Sequence, residues 1–169
     1  RPDLEIIDLR GNVGTRLSKL DEGLYDAIIL ASAGLKRLGL ADRIRHSLSA
    51  EISLPAVGQG ALGLECRSND SALLKLIEPL QHQETSNCVR AERAFNAYLE
   101  GGCQVPIAGY ATLRNDQIQI EGRVGSVDGK VILKAQRVGA IEQAEQLGEQ
   151  LAQDLLAQGA GDLLKALHE

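Results

Sequence analysis

The chain has 169 residues, is 44% hydrophobic and 24% charged, and carries a formal net charge of -5, an ordinary soluble composition with enough residues for one large or two small cores. The acidic balance argues against a phosphate-neutralising nucleic-acid face, and 2% aromatic residues argue against base-stacking platforms. No apolar run approaches the roughly 20 residues of a bilayer crossing, and Cys66, Cys88 and Cys103 stand in distant contexts without Cys-x-x-Cys spacing or clustered histidines, which predicts no zinc site, no disulfide framework and a reducing, cytoplasmic compartment.

In chain order, residues 4–9 read as a strand, followed by the turn Arg10-Gly11-Asn12-Val13-Gly14 and a short helix over 15–20. The continuous apolar run 25–31 fits a buried parallel strand, so the opening has a β-α-β pattern. A helix over 32–38 stops at Gly39, and 42–48 reads as another helical piece. Leu54-Pro55-Ala56-Val57-Gly58-Gln59-Gly60 interrupts all periodicity, as a hinge or crossover does, before a strand at 61–66. Asp70 caps a helix that runs to about Ile77 and ends at Pro79.

A second unit begins near residue 80. Cys88, Ala91, Phe95 and Tyr98 or Leu99 mark one face of a helix that ends at Gly101. Three strands follow at 104–113, 117–124 and 130–137, separated by the hairpin residues Arg114-Asn115-Asp116 and Asp128-Gly129. Ile141, Ala144, Leu147, Leu151 and Leu155 then give a long amphipathic helix, with a last short helix after Gly159 to Gly161. The expected fold is an incomplete α/β domain followed by an α+β domain, a three-stranded antiparallel sheet covered by helices on one face.

Two constellations carry candidate chemistry. Glu100-Gly101-Gly102-Cys103-Gln104-Val105-Pro106 sets a thiol on a glycine-rich turn between a helix and a sheet. Adjacent glycines allow a positive-φ exit from the helix and clear side chains from around the sulfur. Cys103 reads either as a thiol that carries something bulky or as a small buried hydrophobe behind a helix cap. Arg10, Arg16 and Arg37 each lie just after a predicted strand or within the following helix, the edge where open α/β sheets bind ligands. Guanidinium forks and the amides of the 11–14 turn favour carboxylates, whereas an isolated arginine is more often on a solvated face. Gly11-x-x-Gly14 lacks the Gly-Lys-Ser/Thr of a phosphate loop and is no dinucleotide fingerprint. Asp8 and Asp26 give no convincing catalytic acid, and His46, His82 and His168 read as surface residues.

Four motifs, in order and spacing, resemble the porphobilinogen deaminase (hydroxymethylbilane synthase) family: Leu9-Arg10-Gly11-Asn12-Val13-Gly14-Thr15-Arg16-Leu17, Ala33-Gly34-Leu35-Lys36-Arg37-Leu38-Gly39, the 54–60 segment, and the 100–106 block. The resemblance implies a transferase of tetrapyrrole and heme biosynthesis that condenses four porphobilinogen units head to tail onto a cysteine-linked dipyrromethane primer. Ammonia is lost at each addition, and hydrolysis then releases hydroxymethylbilane. It implies two domains resembling periplasmic binding proteins around a cleft, and a third carrying the cysteine. By motif match the thioether falls on Cys103; Arg10, Arg16, Gln59 and Gly60 approach the cofactor; and Arg10, Arg16, Arg37 and Ala31 line the path of the substrate and growing polypyrrole chain.

The same resemblance divides the chain into 1–54, part of the second domain; 55–79, a hinge and crossover belonging to the first; and 80–169, the cofactor-carrying domain. The opening Arg1-Pro2-Asp3, without Met, reads as the start of a fragment. In the family a cofactor-contacting aspartate precedes this point, so no catalytic residue is assigned here. The isolated chain is expected to be inactive, to lack the cofactor and to self-associate, while the full-length enzyme is expected to be a cytoplasmic monomer that binds neither nucleic acid nor membrane. A polycarboxylate-binding module and a C-terminal regulatory or dimerising domain are the competing readings.

Overall fold

The computed structural model describes residues 3–102 and 105–166. It consists of two compact units, Arg1–Leu48 and Ser49–Glu169.

The first unit contains α1 (Val13–Asp21), α2 (Ser32–Arg37) and a 3-10 turn at Ala41–Arg43. Helix α1 starts where Asn12, in extended backbone, accepts the Thr15 N–H on its side chain, which satisfies one of the unpaired donors of the first turn. Leu17 and Leu35 are its buried apolar side chains. The strands expected at 4–9 and 25–31 are not formed; both segments are open backbone with exposed apolar side chains, Ile6 at 88%. Alternating or apolar patterning supplies a strand's side chains, but a strand exists only when a neighbour takes up its N–H and C=O groups, and no ladder partner is present among the described residues. The helix expected at 42–48 is also absent beyond the 3-10 turn, since Ile44 is already extended. A run this short needs a packed face to hold it helical.

The second unit begins with irregular backbone to residue 70. The strand expected at 61–66 is likewise missing there, and Leu62 is 86% exposed. Asp70 then caps α3 (Ser71–Ile77) through the Leu73 N–H, and a 3-10 turn containing Pro79 ends it. Helix α4 (Gln83–Tyr98) is followed by β1 (Ile107–Arg114), β2 (Gln117–Gly125) and β3 (Ile132–Ala140), then α5 (Ala144–Ala157) and α6 (Ala160–Lys165). The sheet order is β1-β2-β3, antiparallel throughout. Asn115 and Asp116 both take positive φ between the paired Arg114 and Gln117, the two-residue hairpin geometry these residue types favour.

Ile118, Ile120 and Val124 are buried at alternate positions of β2, so one face of the sheet meets α4 and α5 while the other carries Gln119, Glu121 and Arg123. Gly109 and Gly122 face each other across β1 and β2. A Cβ on either would meet the Phe95 ring at 2.8 and 2.7 Å, so the glycine pair forms the slot in which that fully buried ring lies. Leu147 seats over Gly139 in the same way, and Gly148 brings α5 against the α4 backbone at Ala91. Leu99 rather than Tyr98 completes the buried face of α4. Among the described residues no helix is long and apolar enough to cross a membrane, and no group of His, Cys, Asp and Glu could hold a metal ion.

Candidate functional site

In the first unit Arg10, Arg16 and Lys19 gather on one turn. Residues 8–11 are held by three side chains: Tyr25 Oη donates to the Asp8 carbonyl at 2.8 Å, Lys19 Nζ to the Arg10 carbonyl at 3.1 Å, and Arg16 Nε to the Gly11 carbonyl at 2.8 Å. Gly11 has φ +124, and a Cβ there would lie 2.9 Å from the Thr15 side chain; the turn therefore needs glycine for both conformation and space. Arg16 and Lys19 reach it together because positions three apart share a helix face.

The Arg10 side chain is 89% exposed, with Asp8 as a distant partner at 3.8 Å. Contacts of this kind are weak in water, so the guanidinium keeps its donors. Arg16 spends only Nε on the turn, leaving its terminal nitrogens without another partner among the described residues. Arg37 ends α2 in an exposed position, and Ala31 is the exposed N-cap residue of the same helix. Arg10, Arg16 and Lys19 beside the Asp8 carboxylate make a turn whose donor set fits a ligand with several carboxylates.

In the second unit two segments matter. The 56–61 loop is built of consecutive turns, with Gln59 N bonded to the Ala56 carbonyl and Ala61 N to that of Gly58. Gly58 and Gly60 have φ +70 and +88, and Gln59 and Gly60 are exposed. At the end of α4 the chain turns through Glu100, at φ +53, and neither Gly101 nor Gly102 takes positive φ. The expected positive-φ glycine exit is thus replaced by a strained glutamate, and Gly101 serves a close approach. A Cβ on it would meet Asn96 Oδ1 at 2.2 Å, and Asn96 Nδ2 donates to the Gly101 carbonyl. Gly102 faces open space. Cys103 lies outside the described residues.

The other two thiols differ in character. Cys88 is buried in the core, and its pKa is pushed up by burial first and by the Glu92 and Glu84 carboxylates next, which makes it a poor nucleophile. Cys66 is half-buried.

The sequence reading did not single out Glu92, 5% exposed, although it stands four residues after Cys88 on the apolar stripe of α4. Its Oε2 accepts the Gly58 N–H at 2.7 Å and its Oε1 the Ala111 N–H at 2.8 Å. Burial raises its pKa, while the Ala111 and Gly58 amides pull in the opposite direction. Lys19 and Tyr25 were also passed over; the three-residue spacing from Arg16 to Lys19 was the available signal. His82 proves to be the N-cap of α4, accepting from Thr85 N, and Arg43 pairs with Asp21.

Two family models match the chain in succession: porphobilinogen deaminase, dipyromethane cofactor binding domain, over residues 1–75, and porphobilinogen deaminase, C-terminal domain, over 86–157. The chain belongs to the porphobilinogen deaminase family. Dipyrromethane is accordingly its cofactor, and porphyrin biosynthesis from porphobilinogen is the chemistry the family serves. The basic turn at 8–19, Ala31, Arg37 and the 56–61 loop all fall within the cofactor-binding match, whereas Glu92 and Cys103 fall within the C-terminal match. The mixed helices and three-stranded antiparallel sheet agree with this membership.

Proposed function

We propose that this chain is the part of a hydroxymethylbilane synthase that carries the cofactor and binds its carboxylates, with Cys103 forming the thioether. The observation that carries the reading is the basic turn: three side-chain donors fix the backbone of 8–11 while Arg10 and the terminal nitrogens of Arg16 stay open to an anion. Bound dipyrromethane supplies the primer to which four porphobilinogen units are added with loss of ammonia, before hydrolysis releases the linear product.

Arg10 and Arg16 hold acetate and propionate groups of the cofactor and the growing chain, and Arg37 and Ala31 line the path of the incoming substrate. Gln59 and Gly60 present exposed backbone to the cofactor. The domain division 1–54, 55–79 and 80–169 belongs to the same reading. Cys103 is assigned by its motif match, and the buried Cys88 with its raised pKa is disfavoured as the carrier. The enzyme acts as a cytoplasmic monomer.

Intact-mass measurement of the full-length enzyme, with peptide mapping, tests the assignment. The expected result is one covalent adduct on Cys103, lost in Cys103→Ser together with turnover, because a hydroxyl is a far weaker nucleophile than a thiolate. An adduct on Cys66 or Cys88, or full activity in Cys103→Ser, overturns it.

A further inference from the structure

The opening segment of the second unit is fastened at both ends by side chains from the helix-and-sheet core. At its start, Arg123 on the outer face of β2 donates Nη2 to the Ala50 and Glu51 carbonyls, each at 3.3 Å, while its Nε is held by Glu121 Oε1 at 2.7 Å. At its end, Glu92 takes the Gly58 N–H on one oxygen, and Val57 packs against the core, within 3.3 Å of where a Cβ on Gly109 would stand.

The other oxygen of Glu92 takes the N–H of Ala111. Gly125 N donates to the Pro106 carbonyl, so residues 107, 109, 111 and 113 of β1 occupy the non-hydrogen-bonded positions opposite β2 and direct their N–H groups to the open edge. One buried carboxylate thus caps a free sheet-edge donor and a loop donor at once. Burying a carboxylate is costly unless its oxygens are bonded, and here both are bonded to backbone of two segments more than fifty residues apart.

We propose that Glu92 and Arg123 are positioning residues that strap residues 50–60 to the helix-and-sheet core of the second unit, so that the 58–60 loop keeps a constant place relative to β1. The strap is part of the same compact unit as the helix-and-sheet core. The consequence for turnover rests on the reading of 58–60 as a cofactor-facing loop. Neither residue touches the reacting atoms.

The test compares full-length wild-type enzyme with Glu92→Gln and Arg123→Lys by amide hydrogen exchange and steady-state kinetics. A glutamine offers one acceptor where two N–H groups need one. The Ala111 amide is fixed by the sheet and the Gly58 amide lies in a turn, so the turn is the side that lets go. Expected for Glu92→Gln is exchange faster by about tenfold or more at Gly58, Gln59 and Ala61, unchanged exchange at Ile118 and Ile120, and a kcat lowered about tenfold with little change in KM. Arg123→Lys keeps the charge but cannot fork; exchange should quicken at Ile52 and Ser53, whose amides bond to the Ser49 carbonyl.

Uniform acceleration across the sheet would reduce Glu92 to a core stabiliser, and unaltered exchange at Gly58 would remove the clamp; either overturns the proposal. Local loosening with unchanged kcat overturns the positioning role. If Glu92→Gln does not fold, the Arg123→Lys exchange pattern decides alone. Absence of a Cys103 adduct in the wild-type enzyme would instead refute the deaminase reading, and the exchange results would still stand or fall by themselves.

Discussion

Gly148→Ala sets two effects of known sign against each other. Replacing a glycine inside a helix by alanine favours the helix by about 1 kcal/mol, and Gly148 sits in the middle of α5 (Ala144–Ala157). The new Cβ, however, would lie 2.2 Å from the Ala91 carbonyl oxygen, 2.8 Å from Phe95 N and 3.0 Å from Ala94 Cβ. Carbon and oxygen in contact need roughly 3.3 Å, so α4 and α5 must part by about 1 Å. The obstacle is helix backbone, which cannot rotate away as a side-chain tip would. A gap of that size forfeits a quarter to a half of each contact's dispersion energy, and the seam includes the fully buried Ala91, Phe95, Leu151, Ala152 and Leu155. Overpacking costs about 1 to 3 kcal/mol and sometimes more, so the clash wins and the net loss should be about 1 to 3 kcal/mol. For a unit of this size that is a fall in Tm of about 4 to 12 °C, measured by circular dichroism, with a lower urea midpoint at unchanged slope. Gly161→Ala is the control: its Cβ would meet only Leu156 Cδ2, at 3.7 Å, and the change should be neutral or stabilising by up to about 1 kcal/mol. Equal or greater stability in Gly148→Ala would refute the helix-contact argument.

Arg10→Leu and Arg16→Leu in the full-length enzyme should each weaken cofactor assembly or chain extension about tenfold to a hundredfold, the effect of one charge-assisted hydrogen bond of roughly 1.5 to 3 kcal/mol; Arg43→Leu, which loses only its pair with Asp21, should be nearly silent, and equal activity in all three would sink the carboxylate site. Asp128 accepts from Ser126 Oγ and Lys130 and so titrates low, at about 2 against an ordinary 3.8. Its contribution is therefore present above 3.8 and lost as pH falls through about 2; NMR titration should show this, with Ser126→Ala moving the value upward, and an unmoved value would discount the hydroxyl as the main cause.

The second unit was legible because its elements carry both the local pattern and their partners. The period-two burial of Ile118, Ile120 and Val124 and the Asn115-Asp116 turn fix neighbouring strands within one short stretch of chain. Segments 4–9, 25–31 and 61–66 have strand-like side chains, yet a ladder is a property of two segments, and nothing in a single run of residues states where its partner lies. The Gly101-Gly102 reading failed for a related reason. Glycine can mean positive φ or close approach, and only the position of Asn96 distinguishes them. The arginines of the basic turn were readable as residue types on a helix entry, while the grip of Lys19 and Arg16 on the Arg10 and Gly11 carbonyls was not, since it depends on how the chain before α1 folds back. Glu92 was hidden by its own position: a carboxylate within an apolar stripe passes for an interruption until the amides facing it are known.

The Phe95 ring lodged over Gly109 and Gly122 acts as an indexing pin for the hairpin. A slip of one residue between β1 and β2 would turn the inner faces outward, and a slip of two would bring Ala111 or Ile120 beneath the ring in place of a glycine, where no room for a Cβ exists. The alignment of β1 is thereby locked, and the chain enters the sheet at Ile107 at one notch only. The two facing glycines thus fix the start of the sheet along the strand direction from within the core.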